Sequence, residues 1–125
     1  MPEFRARTHH RHRVQETLRE EIATMIEGEL SDPRVRTAHV TEVVMAPGGK
    51  SARVLVSVEG GEDATEKEAL QGLLAARGYM RSELLARMGV RHVPELTFVI
   101  DRSDRMQGRI DELLGRAEKR RRKES

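Results

Sequence analysis

The chain of 125 residues is one domain's worth, since domains cluster near ~100–150 residues, and it is only 37% hydrophobic but 35% charged, so it can build one modest core under a heavily charged surface. It contains no cysteine, which excludes a disulfide framework, a thiolate zinc site, an iron–sulfur cluster and a thiol nucleophile. Its three aromatics, Phe4, Tyr79 and Phe98, are too few for a base-stacking platform, no apolar run reaches the roughly 18 residues of a membrane span, and the charged N-terminus lacks an apolar signal core. A soluble, cytoplasmic protein is the expectation.

The net charge of +2 conceals an uneven distribution. Arg5, Arg7, Arg11 and Arg13 against Glu3 give the N-terminal end +3. Arg116, Lys119, Arg120, Arg121, Arg122 and Lys123 against Glu118 and Glu124 give the C-terminal end +4, which leaves −5 for the body between them. An acidic body with two basic ends points to a polyanionic partner held by the ends and by any basic patch on the body. Residues 1–10 are expected to be a disordered basic extension and 117–125 a basic tail, around a domain at 11–116.

Val14, Leu18, Ile22, Met25, Ile26 and Leu30 recur at the spacing of one helix face, and Asp32-Pro33 ends that helix. Thr37 to Met45 is β-branched and roughly alternating, with Glu42 marking a bulge or an exposed edge. Pro47-Gly48-Gly49 turns the chain into a second strand, where Ala52, Val54, Val56 and Val58 alternate with Arg53, Leu55 and Ser57, so the two form an antiparallel hairpin. A helical pattern runs from Glu66 to about Met88, and Pro94 introduces a short strand with Leu96, Phe98 and Ile100 on one side. Ser103 caps a last helix whose stripe is Met106, Ile110, Leu113, Leu114 and Ala117. The predicted fold is α+β, helices layered on a three-stranded sheet.

Within the central helical stretch, Arg77 and Arg81 lie three and four residues from Leu73, Leu74, Leu84 and Leu85. In a straight helix both arginines sit inside the apolar stripe, and burying unpaired guanidinium groups costs several kcal/mol each, whereas a glycine in a helix costs only about 1 kcal/mol. A break at Ala76-Arg77-Gly78 is therefore expected, with the arginines turned outward and a second helix starting near Gly78, its free N–H groups suited to phosphate.

Two helices about a small-residue break, between the second and third strands and after a leading helix, resemble the type II KH fold, although no pair of glycines has the GXXG spacing of a standard KH clamp. Ala76-Arg77-Gly78 is similar to the AxG kink of the bacterial ribosome-binding factor A family. Arg13-Val14, Ser31-Asp32-Pro33-Arg34-Val35, Ala52-Arg53-Val54-Leu55-Val56-Ser57, Gly78-Tyr79-Met80-Arg81-Ser82-Glu83-Leu84, Val93-Pro94-Glu95-Leu96-Thr97-Phe98 and Ile110-Asp111-Glu112-Leu113-Leu114 follow that family's order and spacing. The resemblance implies a KH-like assembly factor without enzymatic activity or cofactor. Such a factor is a monomer that binds the free 30S subunit, assists late maturation and 5′-end processing of 16S rRNA, matters most in the cold, and is released by a maturation GTPase. The expected RNA-binding set is Arg11, Arg13, Ala76, Arg77, Gly78, Arg81, Arg87, Arg91, His92, Lys119, Arg120, Arg121, Arg122 and Lys123.

Other chemistry finds little support. His9, His10 and His12 sit among arginines that repel a cation, with no acidic ligand beside them. Glu16 and Glu20 lie off the apolar stripe near Arg13 and Arg19, as on a solvated helix face, and His39 and His92 are isolated in sequence. There is no P-loop, HExxH or GxSxG. The runner-up is a DNA-binding regulator using Glu66–Ala76 and Tyr79–Met88 as a helix-turn-helix, although the second segment offers only Arg81, Ser82 and Arg87 as polar readers.

Overall fold

The computed structural model of the chain describes the backbone of residues 2–124 and the side chains of residues 12–103 and 106–123. Helix α1, Pro2–Thr24, runs into a π-helical turn, Met25–Glu29, closed by the Leu30 N–H donating to the Met25 carbonyl at 2.9 Å. The predicted stripe is buried at Leu18, Ile22, Met25 and Ile26 and half-buried at Val14 and Leu30. Asp32 then accepts the Arg34 N–H at 2.9 Å and starts a 3₁₀ turn, Pro33–Val35, with proline where a missing N–H costs nothing. That turn sends Val35 into the core.

Strands β1 (Ala38–Met45) and β2 (Ser51–Val58) form the predicted antiparallel hairpin, and the register slips between Val40 and Glu42, where Glu42 interrupts the alternation. The bulged residue, Thr41, donates its hydroxyl to Asp101 Oδ2 at 2.7 Å, tying the edge strand to the end of β3. Helix α2, Asp63–Met88, crosses over to β3 (Glu95–Ile100), which lies parallel to β2, so the sheet order is β1-β2-β3. Val43, Val54, Val56, Leu96 and Phe98 share one core with Leu18, Ile22 and Met25 of α1 and Leu73, Met80 and Leu84 of α2. Both helices therefore cover the same face of the sheet, and α+β is confirmed.

Two expectations fail. No break interrupts α2: one helix stands where two were predicted. Helix α3, Ser103–Glu124, keeps its predicted stripe but does not bury it, Met106, Leu113 and Leu114 being 65%, 62% and 63% exposed. An apolar periodicity calls for a helix without naming what the helix packs against. Among the described residues, no helix is long and apolar enough to cross a membrane.

Candidate nucleic-acid interface

Helix α2 starts with Asp63 and Glu66 in its first turn, complementing the positive end of its dipole, and ends on Gly89 in the left-handed conformation at φ 63°, its N–H bonded to the Leu85 carbonyl. Its buried face is Glu66, Ala69, Leu73, Met80 and Leu84, with Ala76 packed at its edge. Leu74 and Leu85 lie off this face, 53% and 36% exposed. The premise for a break was that every leucine is core. With Leu74 and Leu85 outside, a straight helix keeps Arg77 at the margin and Arg81 in solvent at no desolvation cost. Gly78 is an ordinary helical residue with open space around the position of a side chain, and no helix N-terminus is offered there to a phosphate. The same continuity removes the turn from the helix-turn-helix alternative.

The exposed flank of α2 carries Leu74, Arg77, Gly78, Arg81 and Leu85 at positions i, i+3, i+4, i+7 and i+11, a single helical line. Among the described residues neither Arg77 nor Arg81 has an ion-pair or side-chain hydrogen-bond partner. Two unneutralised guanidinium groups one helical turn apart, about 6 Å along the axis, match the spacing of successive phosphates on a nucleic-acid strand. The small residue between them lets a backbone approach. Arg91 and His92 follow the α2 cap on an exposed stretch before β3.

The remaining predicted contacts are dispersed or occupied. Ala76 belongs to the core side of α2 and supports the flank without facing the solvent on it. Arg87 is already paired within the chain. Its guanidinium is held by Glu29 at 2.6 Å, Glu83 at 3.2 Å and Glu21 at 3.5 Å, which clamps α2 to the end of α1 and pushes its pKa further above an already high value, first through the Glu29 bond. Three carboxylates around one arginine repel a phosphate. Arg13 is exposed on α1, and the side chains of Arg11, His9 and His10 lie outside the described residues. Lys119, Arg120, Arg121, Arg122 and Lys123 continue α3 as helix, and Arg122 bonds to Glu118 at 3.2 Å.

A cavity of about 280 Å³ is lined by His39, Glu59, Glu66, Asp101 and Arg102 with Ser57 and Val58. Its carboxylates make it a poor phosphate site. His39, isolated in sequence, is held between Glu27 (3.1 Å) and Glu59 (2.9 Å), and both bonds raise its pKa, Glu59 the more. No local sequence signal announces this bridge, because its members come from the π-helical turn after α1, from β1 and from the segment after β2.

The family model described as ribosome-binding factor A matches residues 10–114. The chain belongs to the ribosome-binding factor A family. A ribosome-binding factor A from Koribacter versatilis is 51% identical over 118 residues, covering 94% of this chain and 95% of that one. Another from Solibacter usitatus is 42% identical over 105 residues, covering 84% and 85%. The crystal structure of ribosome-binding factor A from Thermus thermophilus superposes with a TM-score of 0.64 at 26% identity, covering 73% of this chain and 94% of that one. A homology model of the Thermus thermophilus protein, fitted into the cryo-EM map of a 30S–RbfA complex, gives 0.60 at 27% identity over 72% and 93%. The family resemblance read from the residues is thereby borne out.

Proposed function

We propose that this protein is a non-enzymatic assembly factor that binds the free 30S subunit through 16S rRNA and assists its late maturation and 5′-end processing. The observation that carries the reading is the pair of arginines, Arg77 and Arg81, one helical turn apart on the exposed flank of α2 with no ion-pair partner among the described residues. Family membership supports the choice of partner, since a relative has been fitted into a 30S complex. The helical crossover joining β2 to a parallel β3 supports a KH-like (type II) fold with a straight central helix replacing the kinked pair. Arg91, His92, Arg13, Arg11 and the basic end of α3 add longer-range attraction to phosphate. On this reading the protein acts in the cytoplasm as a monomer, matters most in the cold, and is released by a maturation GTPase.

Sedimentation with fractionated ribosomal particles tests the proposal. The protein co-sediments with free 30S subunits and not with complete ribosomes. Equal recovery with both particles, or with neither, contradicts it.

A further inference from the structure

The strand alternation that puts Val43, Val54, Val56, Leu96 and Phe98 into the core puts Val44, Leu55 and Val99 on the other face of the sheet. The register joins them into a patch: Leu55 stands opposite Val99 on β3, and Arg53, one pleat along β2, stands opposite Val44 on β1. Helices α1 and α2 share the core on the first face, and no described element packs over the second, where Val99 is 37% exposed. The same chain holds a second unpartnered apolar surface, the stripe Met106, Ile110, Leu113 and Leu114 of α3. Only Asp101 and Arg102 separate that helix from β3.

We propose that α3 has a second position, laid lengthwise across the open face of the sheet with its stripe against Val99, Leu55 and Val44. The dimensions agree. Six residues of β3 extend about 20 Å and the helix from Ser103 to Leu114 about 17 Å. A chain reversing at Arg102 passes Met106 over Val99 first and brings Leu113 and Leu114 to the hairpin end. There Val44, Met45, Pro47 and Arg53 help line a recess of about 210 Å³ that can receive a leucine side chain.

The two-residue link, Asp101-Arg102, keeps the stripe of α3 within reach of this face of its own chain. Charge disfavours the pairing of two copies of α3 through the stripe. Arg109, Arg116 and Lys123 recur every seven residues along one edge, where antiparallel pairing sets them against themselves and parallel pairing against Gln107, Leu114 and Arg121.

The absence of native cysteine makes the test clean. A disulfide forms only when the two Cβ atoms come within about 3.5–4.5 Å. In the full chain at high dilution under mild oxidation, Val44→Cys with Leu114→Cys is expected to give an intramolecular disulfide. Its yield should be at least about tenfold that of Val44→Cys with Glu112→Cys, whose second cysteine is on the far side of the helix, because docking sets the effective concentration. A yield no higher than this control, or cross-links between molecules only, overturns the proposal. Independently, Ile110→Asp should move the backbone amide resonances of Leu55 and Val99, and an unchanged spectrum at both residues also overturns it.

Discussion

A Cβ atom placed on Gly72 lies 2.8 Å from Val35 Cγ1 and 3.1 Å from Arg34 Cβ. The 3₁₀ turn that follows α1 thus packs directly on the backbone of α2, and Val35 is fully buried there. Gly72→Ala gains up to about 1 kcal/mol of helix propensity and loses about 1–3 kcal/mol to overpacking against a side chain with nowhere to go. The expected outcome is a lower melting temperature, by roughly 4 °C per kcal/mol of net loss, in a thermal melt followed by circular dichroism.

Gly78 is the opposite case in the same helix. Nothing lies within 4 Å of a side chain built there, and its backbone is helical. Gly78→Ala should raise stability by up to about 1 kcal/mol, read as a higher melting temperature. A fall would mean that the helix is bent at this residue after all.

His39 makes stability depend on pH. Its bonds to Glu59 and Glu27 raise its pKa above the ordinary 6.5. The protonated form is therefore favoured by folding, and its contribution is complete below about 6.5 and disappears as pH rises through the folded-state value. Asp101 runs the other way. Ser103 and then Thr41 hold its carboxyl below its usual range, so its contribution is present at neutral pH and lost as acid protonates it. Melting temperatures from about pH 6 to 9 should converge for the parent and His39→Gln at the alkaline end and separate at the acidic end. Parallel curves would show that the bridge carries no charge.

Local residue chemistry made most of the fold legible: the α1 stripe, the Asp32-Pro33 stop, the hairpin, the irregularity at Glu42 and the alternation of β3 all follow from patterns a few residues long. Long-range contacts did not. The side chains that neutralise Arg87 come from positions 21 and 29 as well as from its own helix, and the close approach at Gly72 depends on where a distant turn lands. The break predicted at Gly78 came from treating Leu74 and Leu85 as core, when a helix of 26 residues on a three-stranded sheet buries only one narrow face. For the interface, Arg77 and Arg81 were legible as a pair, and the leucines flanking them as surface residues were not.

The claim that rests most heavily on the structure is that Arg77 and Arg81 face solvent to hold rRNA phosphates. The measurement is a salt titration of 30S binding for the double variant Arg77→Glu, Arg81→Glu, with a thermal melt of the same sample. The account predicts at least a roughly tenfold loss of affinity, a salt slope shallower by about 1–2, and stability within about 0.5 kcal/mol of the parent for each substitution. Unchanged affinity with an unchanged slope, in a protein that still melts normally, would contradict it.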